Sequence, residues 1–364
     1  MKKILTVIGA RPQFIKAAAV SREIMTTTGM TEVLVHTGQH YDANMSDIFF
    51  QEMGIPMPTH HLDVSGGSHG QMTGRMLERL EAVMLAESPD AVLVYGDTNS
   101  TLAGALAAAK LHIPIAHVEA GLRSFNRRMP EEVNRVLTDH CASLLLTPTD
   151  SATMNLAQEG IPADRIVQVG DVMYDAALYF GGIAAERSDA LHQRGMSEGG
   201  YVLATIHRQE NTDDPARLRA IFEGLAEVAR NVPVVLPLHP RTKARLEGAG
   251  LAHLTEAITL VAPMGYLDMV AHERSAAVIV TDSGGVQKEA FFYGVPCVTL
   301  RDETEWVELV EAGWNRLVPP LGGAAAVAQA VSAAIGTKGR EFTPYGTGDA
   351  SRRTVAALIG HLAG

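Results

Sequence analysis

Short apolar runs rich in β-branched residues alternate with amphipathic stretches along almost the whole chain. Residues 4–8, 32–37, 91–95, 114–118, 144–147 and 166–169 have the length and composition of strands, and residues 14–26, 71–86, 101–110 and 150–159 carry helical periodicity. The same rhythm resumes after Glu198, with strand-like runs at 201–206, 234–238, 258–261, 277–281 and 296–300. Alternation at this spacing predicts βαβ units and parallel sheets. The runs are apolar almost throughout, which fits strands covered by helices on both faces. Helix 101–110 is mostly Ala and Leu and is expected to be buried.

Two such blocks predict an α/β protein of two Rossmann-like parallel-sheet domains. The expected boundaries are 1–172 for an N-terminal domain and 173–350 for a C-terminal one, with a polar, glycine-flanked stretch at 181–200 near a hinge. Residues 351–364 form a last amphipathic helix, expected to pack back on the N-terminal domain.

The polar residues gather where open α/β sheets place their ligands, just beyond the C-terminal ends of strands. In the first block these are Gly9-Ala10-Arg11-Pro12, Thr37-Gly38-Gln39-His40, Gly96-Asp97-Thr98-Asn99-Ser100 and Glu119-Ala120-Gly121-Leu122-Arg123. In the second they are His207-Arg208-Gln209-Glu210-Asn211, His239-Pro240-Arg241 and Asp282-Ser283-Gly284-Gly285. The last follows a buried-strand pattern and opens a helix. Gly284 and Gly285 let backbone N–H groups approach a ligand, and the helix's positive end favours an anion beside Ser283. Glu289, about a turn further on, is placed to accept hydrogen bonds from a ribose diol. The plainer reading is a tight turn with Ser283 as N-cap.

Asp97 would serve equally as an N-cap or as a carboxylate held on rigid backbone. Glu119 ends its strand the same way, and Glu caps poorly, so a functional role leads there. Pro130-Glu131-Glu132 suits a helix start, where Pro fits the first turn and acids complement the dipole. Three carboxylates in one cleft would drive their pKa values apart, leaving one as acid and one as base. Arg11 and Lys16 flank the first turn and are candidates for diphosphate or sugar oxygens. His207, followed by Arg208, is a candidate phosphate donor or proton carrier. His60, His61 and His69 show no metal-ligand spacing and are assigned to a loop.

Composition narrows the classes. The 364 residues are 46% hydrophobic and 20% charged, enough for packed cores, and the net charge of −11 disfavours nucleic-acid or anionic-membrane partners. Cys141 and Cys297 form neither a disulfide framework nor a zinc site, which points to a reducing, cytoplasmic setting. Met1-Lys2-Lys3 and the apolar residues after it imitate a signal peptide, but Gly9-Ala10-Arg11-Pro12 interrupts them too early. The chain lacks G-x-G-x-x-G, G-x-x-x-x-G-K-[ST] and Asp-x-Asp, so a sugar nucleotide would be bound by backbone N–H groups and cations.

These motifs, with His117-Val118-Glu119-Ala120-Gly121-Leu122-Arg123, Pro130-Glu131-Glu132-Val133-Asn134-Arg135 and Thr281-Asp282-Ser283-Gly284-Gly285-Val286-Gln287-Lys288-Glu289, occur in an order that resembles the non-hydrolysing UDP-N-acetylglucosamine 2-epimerases. The likeness runs from about Lys2 to Val318. It implies a GT-B-like pair of domains facing across a cleft, commonly a homodimer, acting on a UDP-sugar with neither metal nor nicotinamide cofactor. The implied reaction eliminates UDP across C1–C2 to a 2-acetamidoglucal and re-adds it with C2 inverted. By the same resemblance Asp97, Glu119, Glu131 and His207 form the catalytic set. Arg11, Lys16, Arg208, Ser283, Gly284, Gly285 and Glu289 bind the substrate. Trp306 stands where many members carry an arginine, Met264 replaces a glutamine, and Asp42 and the 66–70 loop depart from members with a second, activating UDP-GlcNAc. Thr304-Glu305-Trp306-Val307-Glu308 is similar to the branch that acts on UDP-2,3-diacetamido-glucuronate in O-antigen synthesis. A GT-B glycosyltransferase is the more distant alternative, disfavoured by the clustered carboxylates.

Overall fold

The structure, a computed structural model, describes residues 1–39, 54–187, 191 and 196–363. His40, Asp42 and most of 188–195 in the expected hinge lie outside the described residues. The chain divides into two units, Met1–Ala176 with Thr343–Gly364, and Ala177–Phe342.

The first unit holds a seven-stranded parallel sheet in the order β3-β2-β1-β4-β5-β6-β7. Its strands are β1 (Lys2–Ile8), β2 (Met30–His36), β3 (His60–His61), β4 (Ala91–Tyr95), β5 (Ile115–Val118), β6 (Leu144–Thr147) and β7 (Ile166–Gln168). The second unit holds six strands in the order β10-β9-β8-β11-β12-β13. These are β8 (Val202–Thr205), β9 (Val234–Pro237), β10 (Thr259–Val261), β11 (Val278–Thr281), β12 (Cys297–Thr299) and β13 (Asn315–Leu317). All pairings are parallel. Each sheet runs outward in both directions from its first strand, so each has a switch point beside that strand: β1 next to β4, and β8 next to β11.

The α/β class and the paired parallel sheets are those the alternation predicts. Two strands escaped it. His60 and His61, expected in a loop, pair with Val35 and His36 at the sheet edge, and His69, expected there too, opens helix His69–Glu87. β13 reads Asn-Arg-Leu, and its strand conformation comes from pairing with Cys297–Thr299. In both, a neighbouring strand imposes the geometry that side-chain pattern does not announce.

Helices cover both faces. In the first unit Leu5, Val7, Val92, Val94 and Leu145 pack against Met76, Leu80 and Met84 of helix His69–Glu87 and the alanines of helix Asn99–Lys110. That helix is buried along most of its length, as its composition predicts. In the second unit Val202, Leu236 and Val280 pack against Leu218, Ile221, Phe222 and Leu225 of helix Pro215–Val228. Burying each such side chain contributes about 1.5–3 kcal/mol. Helix Val172–Arg187 carries the chain out of the first unit, and helix Ala350–Ala363 belongs to the first unit. The Asp175 carboxylate accepts from the Ala350 and Ser351 N–H groups at 3.1 and 2.7 Å, which satisfies that last helix's N-terminus.

Candidate active site

Of the first unit's candidate residues, Lys16 and Glu119 meet at its switch point, and Asp97 follows the Gly96 turn beside them. Gln13, 1% exposed, joins the two loops there. Its Oε1 accepts from the Gly9 and Ala10 N–H groups at 2.8 and 3.0 Å, and its Nε2 donates to the Tyr95 carbonyl at 2.9 Å. Gly96 leaves β4 with φ +63°, a left-handed turn that suits glycine. A Cβ there would lie 3.3 Å from Lys16 Nζ and 3.9 Å from Glu119 Oε2, so this turn lies against the Lys16–Glu119 ion pair. Both partners of that pair have side chains only 10% exposed.

Glu119 has φ +69°, a sparsely populated conformation for a residue with a Cβ. Its N–H and that of Ala120 both donate to the Leu146 carbonyl, at 3.1 and 3.2 Å. Strain held by surrounding bonds is a common mark of functional sites.

Asp97 does not cap the next helix; Thr98 does, accepting from Thr101 N–H at 3.2 Å. The Asp97 carboxylate instead pairs with Arg135, and Asn134 Nδ2 donates to the Asp97 carbonyl at 2.9 Å. Burial alone would lower the Arg135 pKa, but Asp97 and Glu132 outweigh it and raise it. Asp97 and Glu132 thus share Arg135, while Glu119 pairs with Lys16. Helix Pro130–Cys141 supplies Arg135, and Glu131 stands exposed in its first turn with no hydrogen bond or ion pair among the described residues. Glu132 is a structural acid: its carboxylate, 1% exposed, accepts from Ser124 and Phe125 N–H at 2.9 and 3.0 Å and pairs with Arg135 at 2.8 Å. Arg11 opens helix Arg11–Thr26, and its side chain lies outside the described residues.

The second unit repeats the arrangement with other groups. Asp282, fully buried at the end of β11, accepts from the His207 N–H at 3.1 Å, the Arg208 N–H at 3.0 Å and Asn211 Nδ2 at 3.2 Å. The His207 ring, about half exposed, lies 3.4 Å from Asp282, and Arg208 pairs with Glu210 at 3.2 Å. Ser283 stands at the N-cap of helix Gly284–Phe292, but its side chain makes no capping bond. That leaves the first-turn N–H groups of the helix and the Ser283 hydroxyl at one end, an arrangement suited to an anion. Glu289 follows on the same helix, 8% exposed. Trp306, 4% exposed, donates its Nε1–H to the Gly284 carbonyl at 2.9 Å, and Lys288 Nζ lies 4.2 Å from its ring centroid. The indole thus braces the glycine turn from behind.

Gln13, Asn134, Arg135, Asp282 and Trp306 hold the candidate groups in place, and none was singled out for that role from sequence. Arg135 had a readable signal, being four residues from Glu131 and hence on the same helix face. Asp282 and Gln13 had none beyond adjacency, because their bonds join loops far apart in sequence.

The family model for UDP-N-acetylglucosamine 2-epimerase matches residues 22–359. The chain is 56% identical over 363 residues to the UDP-2,3-diacetamido-2,3-dideoxy-D-glucuronate 2-epimerase of Pseudomonas aeruginosa, covering 98% of this chain and 99% of the relative. The UDP-GlcNAc 2-epimerase of Methanocaldococcus jannaschii, solved in complex with UDP-GlcNAc and UDP, superimposes with a TM-score of 0.89 at 42% identity, covering 99% of this chain and 100% of that one. That of Neisseria meningitidis, bound to UDP-GlcNAc, does so with a TM-score of 0.88 at 31% identity over 98% of this chain and 100% of that one. The chain belongs to the UDP-N-acetylglucosamine 2-epimerase family, and its fold is the GT-B-like pair of parallel-sheet domains of those structures.

Proposed function

From that membership we propose that this isomerase inverts C2 of a UDP-2-acetamido sugar by eliminating UDP and adding it back. The observation that carries this is the division of chemistry between the two switch points: ion-paired carboxylates at one, a glycine turn at a helix N-terminus at the other.

The C2 proton is not adjacent to a carbonyl, so simple deprotonation and return would be slow. Elimination avoids this. A carboxylate takes the C2 proton, the C–H electron pair becomes the C1=C2 double bond, and the C1–O bond breaks with its electrons leaving on UDP. In the return step a UDP oxygen bonds to C1 while an acid delivers a proton to the opposite face of C2. Asp97, Glu119 and Glu131 are assigned as this acid–base set. Lys16 beside Glu119 and Arg135 beside Asp97 hold these carboxylates in orientation, which suits the basic role. Ser283, Gly284 and Gly285, with Arg11, Arg208 and His207, are assigned to the diphosphate, and Glu289 to the ribose. Holding UDP through the glycal stage lets the same molecule add back.

Two sugars fit this chemistry: UDP-GlcNAc, giving UDP-ManNAc, and UDP-2,3-diacetamido-2,3-dideoxyglucuronate. The second is favoured by the 56% identity to the Pseudomonas aeruginosa enzyme, against 42% to the Methanocaldococcus jannaschii one. The reading extends to a cytoplasmic homodimer serving cell-surface polysaccharide synthesis, for which light scattering tests the dimer. An NMR time course of each sugar in deuterium oxide tests the function. C2 inversion with deuterium incorporation is expected for at least one sugar, and transfer of the sugar to an acceptor without C2 exchange would replace this reading with a glycosyltransferase.

A further inference from the structure

A buried set of polar and charged groups that the proposed reaction does not use lies behind the first unit's switch point, with Glu159 at its partly exposed outer end. His117, on β5, has both ring nitrogens engaged: Nδ1 is 2.7 Å from Asp139 Oδ1, and Nε2 is 2.7 Å from the Gly96 carbonyl. Asp139, on helix Pro130–Cys141, also accepts from the Gly121 N–H at 3.1 Å and pairs with Arg123 at 2.7 Å. Arg123 in turn pairs with Glu159 at 2.7 Å. His117 and Asp139 are both 0% exposed.

The hydrogen on His117 Nε2 follows from its partner, because a carbonyl only accepts. Asp139 receives a guanidinium and a backbone N–H on one oxygen and faces the imidazole Nδ1 with the other. Burial pushes its carboxyl up, but His117 and Arg123 outweigh burial and hold it below the usual carboxylate range. Both ring nitrogens and both carboxylate oxygens are thus committed to partners.

The position of this set gives it a use. The Gly96 carbonyl precedes Asp97, and the Gly121 N–H follows Glu119 by two residues. One carboxylate thus fixes both loops that carry the candidate acid–base groups, one directly and one through His117. It also helps to over-determine the left-handed backbone at Glu119. The geometry points to Asp139 and His117 as positioning residues that set the separation and aim of Asp97 and Glu119. They touch no substrate themselves. The kinetic consequence rests on the epimerase reading; the hydrogen bonds do not.

The test uses the full chain. Asp139→Asn keeps the shape but removes the charge that faces Arg123. Turnover and C2 deuterium exchange should fall together by about 10–100-fold, while KM and the affinity for UDP, which is assigned to the other unit, stay within about twofold. Nitrogen-15 spectra of the unaltered protein should show hydrogen on His117 Nε2, which faces the Gly96 carbonyl. Unchanged turnover in a folded Asp139→Asn protein, a matching loss of UDP affinity, or a His117 ring with its hydrogen on Nδ1 alone each overturns the inference. If Asp139→Asn does not fold, His117→Gln takes its place: its amide reaches one partner but not both, so the same kcat loss is expected, and full turnover overturns the inference. If the unaltered chain exchanges C2 with neither sugar, the functional reading fails while the ring spectrum still decides whether His117 ties down the Gly96 carbonyl.

Discussion

The two units share a strand order about their switch points but differ in what they place there. In the first, a neutral side chain, Gln13, ties the loop after β1 to the loop after β4. In the second, a charged one, Asp282, ties the loop after β8 to the loop after β11. The visible groups are reversed. The first unit presents side-chain charges, Lys16 with Glu119 and Arg135 with Asp97, while the second presents a helix end, two glycines and a hydroxyl. A buried neutral brace leaves charge available in front of it. A buried carboxylate consumes the N–H groups behind the second site and leaves those of helix Gly284–Phe292 as the donors in front. One strand order about the switch point thus carries ion-paired carboxylates in one unit and a glycine turn at a helix N-terminus in the other.

The largest effect should come from removing the first unit's charges. Asp97→Asn and Glu119→Gln are each expected to cut turnover about 10²–10⁴-fold with little change in UDP affinity; steady-state NMR and titration calorimetry separate the two. A parallel loss of UDP binding would erase the division of labour. Next is Gly284→Ala. Its Cβ would collide with the flexible end of Glu305, so the fold should survive while UDP binds about tenfold more weakly, a change of about 1.4 kcal/mol. Gly285→Ala, whose Cβ has only Ser283 Oγ within reach at 4.0 Å, should perturb the protein backbone less and makes the internal control.

Asp282→Asn tests the brace. It leaves buried donors poorly paired and should cost about 1–3 kcal/mol of stability in denaturant unfolding. Gln13→Glu, with a carboxylate between the Tyr95 carbonyl and the Gly9 N–H, should be destabilising too, because the roles of the two braces are not interchangeable.

The smallest effect concerns Glu32. Desolvation raises its pKa from the ordinary 4.5, opposed by hydrogen bonds from Thr6 and Ser21. A carboxyl raised on folding contributes stability below its ordinary pKa and loses it as pH rises through the folded value. Glu32→Gln should therefore raise the melting temperature at neutral pH, with the gap closing as pH falls toward 4.5. An equal shift at all pH values would assign the effect to packing.

Much of this was legible along the chain. Short continuous apolar runs announced most strands and helical periodicity several helices, because burying both faces of a sheet or one face of a helix leaves a pattern that sequence displays. Strand-end positions of Asp97, Glu119, His207 and Ser283 were legible for the same reason: a polar residue after a buried run has reached the sheet's edge. His60–His61 and Asn315–Leu317 were not, since pairing with a neighbour made them strands. The bracing network was equally hidden. Gln13 meets Tyr95, His117 meets Asp139, and Asp282 meets His207 only after parallel strands distant in sequence are laid side by side. Sequence by itself determined which residues sit at the sheet edges and what chemistry they carry. The tertiary structure decided which charge each is paired with, because Coulomb and hydrogen-bond energies depend on distances of a few ångströms that no local pattern encodes.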